Sequence, residues 1–452
     1  MVAPIPDLPV LPVDDSMLSR KFGHEVSNYF SGSPLNRLSF LRTDQAFLAA
    51  AFAHPSTAFL LMDDLAPLVR DPSHLAYVGR DDVVPLTGGE PFAKSEEEQV
   101  REFNSDVALP VILFLGIDQT KTAGGFEHRE YKGTPYFAVD VTPRGTMAEA
   151  AKGVLERAKA KGFSVLAGTR HITLNAPEAA IYAQARALLD WNARNPYCAA
   201  CSQRTMSVNA GTKRVCPPTD RAGVPEGGKP KERADCPTRR GVSNLSFPRT
   251  DPTVIMAIVS ADGTKLLLGR QKRWPPYWYS TLAGFLEPGE SAEEAVRRET
   301  WEESGVTVGR VVLHSTQPWP YPANLMIGAI GQATPDGEAI HLGHDQELES
   351  AKWFPLDEVR EALLTGVSGL GEDAPEGYKE GALRLPPQTA IANRLIDAVA
   401  GGYLAAVSKI LYLMPTPDND QNPEPENMDE VAYSRSKLVS RVYSSVRGIG
   451  YK

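Results

Sequence analysis

Residues 284–306 read GFLEPGESAEEAVRRETWEESGV, and this stretch decides the fold of the chain around it. Ser291 is followed three residues later by Glu294, a spacing typical of a capping box, which predicts that a helix starts near residue 291. Gly305 is well placed to end that helix. The stretch therefore predicts a single helix whose last turn is rich in carboxylates.

Three glutamates lie in this last turn. Glu299, Glu302 and Glu303 are spaced i, i+3 and i+4, so they share one face of the helix. Carboxylates this close repel one another, and the C-terminal end of a helix disfavours anions. Cations would neutralise them, and such hard oxygen ligands suit Mg²⁺ or Mn²⁺, which bridge phosphate oxygens. Arg298 beside them can orient a glutamate. The alternative interpretation is that the three glutamates are simply a solvated acidic face of the helix.

The stretch also fits the spaced pattern G-x5-E-x7-R-E-U-x-E-E-x-G-U, in which U is bulky and apolar. The matching residues are Gly284, Glu290, Arg298, Glu299, Glu302, Glu303, Gly305 and Val306. This pattern resembles the Nudix box, the metal-binding signature of hydrolases that split nucleoside diphosphates linked to another group. The resemblance implies that the three glutamates hold metal and makes them, with Arg298, the candidate catalytic residues; which glutamate acts as the general base is left open. Thr300 departs from the pattern, because a large aliphatic residue is usual there.

The resemblance points to further site residues outside the box. A metal ligand of the family precedes an A-x-W-F element, and here QELESAKWF (346–354) points to Glu347, with Glu349 as the weaker candidate. Phe285, directly after the box glycine, would stack on a ring of the substrate. Ala392, in the family's A-x-R-L-I context, would offer a backbone contact.

Downstream of the box the chain reads STQPWPYPANLM (315–326). This resembles SQPWPFPxS, the motif of the NADH pyrophosphatase subfamily, with Thr316, Tyr321 and Asn324 as departures. Its prolines fix a rigid loop, and rigid aromatic rings suit a flat substrate ring; a structural turn or a proline-rich peptide ligand is the alternative. The candidate substrate-binding residues are Phe285, Gln317, Pro318, Trp319, Pro320, Tyr321, Pro322, Ala323, Asn324 and Ala392.

The four cysteines lie close together in the chain. Cys198 and Cys201 have the spacing of a metal knuckle, and Cys216 and Cys236 complete a four-thiolate set suited to tetrahedral zinc. A zinc ribbon is what the subfamily shows between its two domains, although here residues 217–235 look like an insertion that makes Cys236 the weakest candidate. Free or disulfide-bonded cysteines are the alternative. The basic residues of the ribbon could contact RNA phosphates, but a purely structural ribbon is favoured.

Length and composition set the class of protein. The chain has 452 residues, which predicts two or three domains. A net charge of -9 argues against a generic nucleic-acid binder. No apolar run reaches the ~18 residues of a membrane span, and the Pro-rich N-terminus lacks the features of a secretory signal. The few cysteines fit an intracellular, reducing compartment.

Within the cell, the expected compartment is the cytoplasm or the peroxisome. Ser436-Lys437-Leu438 spells a peroxisomal targeting tripeptide. Such a signal is read at a free C-terminus, so a chance match is the alternative.

Local patterns divide the chain into segments. The predicted domains are a flexible leader (1–25), an N-terminal α/β domain (26–195), a zinc ribbon with an inserted loop (196–245), a Nudix hydrolase domain (246–400), and a helical extension with a disordered tail (401–452). The predicted strands are 110–117, 136–141, 252–260 and 265–271. The predicted helices are 146–162, 175–191 with Asn175 as N-cap, the end of 351–366, and 388–413 with a break at Gly401-Gly402.

The resemblance covers residues 30–400 and implies an α/β (α+β) fold, in which a Nudix α/β/α sandwich follows an N-terminal α/β domain and a zinc ribbon. It implies hydrolysis of NADH to NMNH and AMP, with NAD⁺ and NAD-capped RNA as further substrates. It also implies Mg²⁺ or Mn²⁺ in catalysis, structural Zn²⁺, and a homodimer without membrane partners. No G-x-G-x-x-G follows a strand, so NAD(H) is expected as substrate and not as a Rossmann cofactor. The alternatives are a Nudix hydrolase of ADP-ribose, diadenosine polyphosphate or mRNA caps, or a catalytically silent module that binds NAD(H) or RNA.

Overall fold

The computed structural model describes residues 6–9, 26–166, 172–240, 248–287, 290–344 and 346–401. All of them lie within one compact unit, 1–403. Most of the predicted leader, the tail after Gly401 and the tripeptide at 436–438 lie outside the described residues. Of the leader, Leu8 is described, and it packs against the core of the N-terminal part.

The N-terminal part is built on a mixed sheet. Its strands are β1 (Leu35–Asn36), β2 (Ala58–Asp63), β3 (Ala66–Asp71), β4 (His74–Leu75), β5 (Tyr77–Val78), β6 (Ile112–Asp118), β7 (Phe126–His128), β8 (Tyr131–Asp140) and β9 (Ser164–Val165). Its helices are α1 (Gln45–Ala53), α2 (Arg80–Thr87), α3 (Glu96–Arg101), α4 (Ala148–Ala160) and α5 (Ala176–Arg194). The central strands run in the order β1-β6-β8-β2-β3-β4, and β2 pairs parallel with β8.

Apolar side chains cover both faces of this sheet. On one face, Phe47 of α1 and Val154 of α4 share a core cluster with Phe137 of β8. On the other face, Tyr182 of α5 packs into a second cluster with Leu60 of β2. Alternate residues of β2 and β8 therefore point to opposite cores, which explains why these strands read as nearly continuous apolar runs.

Local sequence signals place these elements correctly. The predicted strands 110–117 and 136–141 are confirmed as β6 and β8, and the predicted helix 146–162 is confirmed as α4. The predicted helix 175–191 is confirmed as α5, with the Asn175 side chain accepting a hydrogen bond of 3.1 Å from the Glu178 N–H. That bond satisfies one of the free donors of the first turn, which is the physical reason for the N-cap signal.

Two short hairpins follow in the cysteine-containing segment. They are β10 (Met206–Val208) with β11 (Lys213–Val215), and β12 (Thr219–Asp220) with β13 (Lys231–Glu232). In the second hairpin Thr219 lies opposite Glu232, so the chain that leaves near Cys216 returns to the same place before Cys236.

The C-terminal part of this compact unit holds a six-stranded sheet between helices. Its strands are β14 (Asp251–Val259), β15 (Lys265–Arg270), β16 (Leu282–Phe285), β17 (Val308–Trp319), β18 (Asn324–Ala333) and β19 (Ser350–Pro355), in the order β17-β18-β14-β15-β19 with β16 paired to β14. The helices are α6 (Ala292–Ser304), α7 (Leu356–Thr365) and α8 (Ile391–Val399). Val296 of α6 shares a core with alternate residues of β14, and α8 packs against β14 and β18. The predicted α/β/α sandwich is confirmed.

The predicted strands 252–260 and 265–271 are confirmed as β14 and β15, and the predicted helix at the end of 351–366 is confirmed as α7. The long stretch 388–413 is helical only from Ile391 to Val399 within the described residues, and Gly401 follows with φ 93°. In the part of the chain that is described, no helix is long and apolar enough to span a bilayer.

Candidate active site and cysteine cluster

Helix α6 begins and ends as its sequence predicts. The Glu294 carboxylate accepts a hydrogen bond of 2.8 Å from the Ser291 N–H, and the Ser291 hydroxyl accepts one of 3.3 Å from the Glu294 N–H. At the other end Gly305 has φ 75°, and its N–H donates to the Trp301 carbonyl at 2.8 Å. The two caps fix where the helix stops, and thereby which side chains form its acidic last turn.

Arg298 connects the acidic residues of the box. Its Nε and Nη2 donate to both oxygens of Glu290 at 2.6 and 2.9 Å, and Nη2 also donates to the Phe285 carbonyl at 2.9 Å. Its Nη1 donates to Glu299 at 2.8 Å and to Glu302 at 2.9 Å. These partners, Glu290 first, raise the pKa of Arg298. The guanidinium is thus occupied by protein acceptors, which makes Arg298 an orienting group for the glutamates.

Glu299 fits against bare backbone at Gly284. A Cβ at Gly284 would lie 2.0 Å from the Glu299 carboxyl carbon and 2.1 and 2.3 Å from its oxygens. Burial raises the pKa of Glu299, Glu302 and Glu290 raise it further, and Arg298 opposes them. A carboxylate held in a glycine-sized recess, and crowded by others, is a donor group that a hard divalent cation would suit.

The other candidate metal ligands are spread around this recess. Glu303 is nearly buried, Glu302 is partly exposed, and Glu347 is exposed and accepts a hydrogen bond of 2.6 Å from the Gln271 side chain. Glu349 instead forms an ion pair with Arg270. Among the described residues, no three of these carboxylates bring oxygens within 4.8 Å of one another, so their role as ligands stays a prediction.

Thr300, the departure from the box pattern, is completely buried on α6. Its hydroxyl donates to the Val296 carbonyl at 2.6 Å, one turn earlier in the helix. The polar atom is therefore satisfied within its own helix, and the residue can occupy an apolar position.

The predicted substrate motif lies on the end of β17, in the turn that follows and at the start of β18. Gln317 is only 1% exposed, and its amide donates to the carbonyls of Tyr29 (3.0 Å) and Thr389 (2.8 Å). Its side-chain oxygen accepts from the Ile391 N–H at 2.9 Å. Both donors of this amide and its acceptor are bound to the main chain, so Gln317 ties β17 to the start of α8 and to the N-terminal part.

The motif's aromatic rings lie against the N-terminal part. Trp319 and Tyr321 pack edge-on against Phe30, with centroids 5.9 and 6.1 Å away, and against each other at 5.2 Å. Phe285 differs, because 57% of it is exposed and its ring is free to stack on a ligand. Direct substrate contact by Trp319 or Tyr321 stays a prediction.

The remaining predicted substrate residues lie around the same loop. Asn324 donates to the Thr253 hydroxyl at 3.0 Å, and the Ala323 carbonyl accepts from the Asp251 N–H at 3.0 Å. Pro318 lies on β17, Pro320 and Pro322 lie in the turn that follows, and Ala392 lies in the first turn of α8. Main-chain N–H groups in the first turn of a helix have no acceptor within that helix, which fits the predicted backbone contact of Ala392.

Sequence reasoning missed several residues that shape the site. Asn28 donates to the Ser315 hydroxyl and the Thr316 carbonyl, Arg186 donates to the Pro320 carbonyl, and Gln271 binds Glu347. Each lies at least 76 residues from its partner in the chain, so no local pattern could have revealed the contact.

The four cysteines come together as predicted. Their Sγ atoms all lie within 4.8 Å of one another, with Cys198 3.6 Å from Cys236 and Cys201 3.4 Å from Cys216. Zinc held by four thiolates at ~2.3 Å needs S–S edges of about 3.8 Å, so the cluster has the size of such a site. Cys236, the weakest candidate by sequence, is fully buried in it.

The cluster also favours a thiolate. Burial raises the pKa of Cys198, but hydrogen bonds from Thr238 and from the main-chain N–H groups of Ala200 and Cys201 outweigh this and lower it to about 6. Burial and the neighbouring Cys201 raise the pKa of Cys216 to about 12. Because the pKa of Cys198 is lowered and that of Cys216 is raised, a bound cation is needed before all four thiols can be deprotonated.

Comparisons with known proteins agree with this geometry. Residues 249–371 match the family described as NUDIX domain, and residues 56–191 match the NADH pyrophosphatase-like rudimentary NUDIX domain. The chain therefore contains a Nudix domain that is preceded by a second, rudimentary domain of the same kind.

Relatives match along most of the chain. The NAD-capped RNA hydrolase of Schizosaccharomyces pombe is 36% identical over 83% of this chain and 93% of its own length. The human NAD-capped RNA hydrolase NUDT12 is 34% identical over 82% of this chain and 73% of its own length. The human mitochondrial NAD(P)H pyrophosphatase NUDT13 is 29% identical over 76% of this chain and 84% of its own length. The chain belongs to the Nudix hydrolase family, in its NADH pyrophosphatase-like group.

Proposed function

We propose that this protein uses water to split the diphosphate bond of NADH and NAD⁺, which releases NMNH or NMN and leaves AMP. Where NAD is the cap of an RNA, the same cut releases NMN and leaves the RNA with a 5′-monophosphate. The observation that carries the proposal is the Arg298–glutamate network with Glu299 seated in the Gly284 recess. The relatives support this choice of substrate, because they are named as hydrolases of NAD-capped RNA and of NAD(P)H.

The residues take distinct parts in this proposal. Glu299, Glu302, Glu303 and Glu347 would hold Mg²⁺ or Mn²⁺, which when bound supplies positive charge at the diphosphate and acidifies water. Arg298 holds Glu299 and Glu302 in place without leaving its own network. Phe285 would stack on a ring of the dinucleotide, and the main chain near Ala392 would contact it.

The cysteine cluster would hold zinc as a structural ion. Three of its four residues are buried, and its sulfur contacts join the segment just after α5 to both ends of the second hairpin. We therefore assign it to folding and not to the reaction.

Replacing Glu302 tests the catalytic assignment. Glu302→Gln removes one carboxylate charge next to Arg298 with little change in shape, so turnover of NADH should fall by about 100-fold while NADH still binds. Glu293→Gln, on the first turn of the same helix, is the matched control and should keep full turnover. The measurement is steady-state hydrolysis with Mg²⁺ or Mn²⁺ alongside NADH binding, and unchanged turnover in Glu302→Gln would remove the metal-site assignment.

A substrate panel separates this proposal from its rivals. It compares NADH, NAD⁺, NADPH, ADP-ribose, diadenosine polyphosphate and NAD-capped RNA under the same conditions. A preference for the nicotinamide dinucleotides supports the proposal. A preference for ADP-ribose or diadenosine polyphosphate would reassign the substrate, and no hydrolysis at all would favour a silent binding module.

A further inference from the structure

Residues 315–321, called the loop below, comprise the end of β17 and the first two residues of the turn after it, and the N-terminal domain holds this segment at both ends. At the start, the Asn28 side chain donates to the Ser315 hydroxyl and to the Thr316 carbonyl, both at 3.0 Å. At the next position, the Gln317 side chain donates to the Tyr29 carbonyl at 3.0 Å. Both donor side chains, Asn28 and Gln317, are only 1% exposed, so loss of either one would leave polar groups of its partners poorly solvated.

Arg186, on helix α5, holds the other end of the loop. Its Nε donates to the Pro320 carbonyl at 2.8 Å, and its Nη1 donates to the Leu65 carbonyl at 2.9 Å in the turn between β2 and β3. Its guanidinium also lies over the Tyr321 ring, 4.8 Å from the centroid. One planar cation thus connects two elements of the N-terminal domain to two successive residues of the loop.

Apolar packing completes the attachment. Trp319 and Tyr321 pack against the same core cluster of the N-terminal domain that contains Phe30 and Tyr182. The loop's aromatic side chains therefore have a fixed support on the N-terminal side. A loop held this way would lose little conformational entropy on contact with a ligand, and such preorganisation raises affinity.

We propose that the rudimentary N-terminal domain sets the position of the 315–321 loop, with Arg186 as the main positioning residue, and thereby determines affinity for the nicotinamide half of the dinucleotide. This rests on the proposed function, because it needs the loop to face the nicotinamide half. Arg186 touches no reacting atom in this scheme. It acts through Pro320 and Tyr321, so its loss should weaken dinucleotide binding and leave the diphosphate chemistry intact.

The test compares Arg186→Ala and Arg186→Lys with the wild-type full-length chain. Arg194→Ala is the matched control for turnover and KM, because Arg194 lies on the same helix but its exposed side chain pairs with Asp190 of that helix and not with the loop. The measurements are KM and kcat for NADH, and the inhibition constant of ADP-ribose, which shares the adenylate and the diphosphate but lacks nicotinamide. Thermal unfolding of each variant reports structural damage.

Arg186→Ala should raise KM for NADH by about ten-fold, since the loop loses a charged hydrogen bond at Pro320 and a cation–π contact at Tyr321, while kcat and the ADP-ribose constant stay within about two-fold. Arg186→Lys should show a smaller rise, because lysine keeps the charge near Tyr321 but cannot reach both carbonyls. Arg194→Ala should match the wild type.

Other outcomes overturn the inference. An unchanged KM for NADH, an equal loss of NADH and ADP-ribose affinity, or a fall in kcat alone would each show that Arg186 does not position the loop. If Arg186→Ala does not fold, the same criteria apply to Arg186→Lys and to Asn28→Ala. If the wild type itself does not hydrolyse NADH, the proposed function fails first, and the two failures remain distinguishable.

Discussion

The close fit of the Glu299 carboxylate against Gly284 predicts that even alanine at position 284 would disturb the acidic site. In Gly284→Ala the new Cβ would lie 2.0–2.3 Å from the three terminal atoms of Glu299, whereas real Cβ contacts are essentially never shorter than 3.0 Å. The carboxylate must therefore move by about 1 Å, because Gly284 is fixed by its pairing with Val254 in the sheet. A displacement of about 1 Å at a catalytic group costs about 100-fold in rate, or roughly 2.7 kcal/mol of transition-state stabilisation.

The assay is steady-state NADH hydrolysis over a range of Mg²⁺ concentrations, together with thermal unfolding. We expect a large loss of kcat, a higher Mg²⁺ requirement and a small change in Tm, since the clash involves the end of a flexible side chain. Gly309→Ala is the control glycine, because a Cβ there would have contacts no closer than 3.5 Å. It should be nearly neutral.

A double variant shows whether the loss acts through Glu299. If it does, adding Gly284→Ala to Glu299→Ala should cost almost nothing more, because the clashing carboxylate is already gone. Additive losses, or full activity in Gly284→Ala, would refute the reasoning.

Three further predictions concern stability. Cys236→Ser should lower both the zinc content and the Tm of the purified protein, as measured by metal analysis and thermal unfolding. The loss of folding free energy should be about several kcal/mol, because a structural zinc ion stabilises the fold directly. Asp262→Ala should destabilise the turn between β14 and β15 at neutral pH, because hydrogen bonds from Ser260 and then Thr264 lower the pKa of Asp262 from 3.8 to about 2. Because the pKa of Asp262 is lower in the folded protein, its carboxylate stabilises the fold above pH 3.8, and this stabilisation is lost as the pH falls toward about 2. The difference in Tm between the wild type and Asp262→Ala should therefore shrink over that pH range. A difference in Tm that stays constant would contradict the prediction. Thr300→Val should change the free energy of unfolding by less than about 1.5 kcal/mol in denaturant titrations, because it removes a single hydrogen bond within its own helix.

The elements that the sequence predicts well are those fixed by neighbours in the chain. The capping box at Ser291, the cap at Gly305 and the N-cap at Asn175 involve partners three or four residues away, and the structure contains all three. Apolar runs likewise located two strands of each sheet, β6 and β8 in the first and β14 and β15 in the second. The family could also be predicted, because the box is a local spacing on one helix.

By itself, then, the sequence determined the acidic helix, the class of hydrolase and the four cysteines that meet. Only the tertiary structure decided how these parts are held. It placed Glu299 in the recess at Gly284 and returned Cys236 to its cluster across the hairpin of the inserted loop. It also turned the aromatic motif toward the N-terminal domain, through contacts that join residues up to 288 positions apart. The physical reason is that capping and periodicity depend on adjacent residues, whereas these contacts exist only after distant segments have packed together.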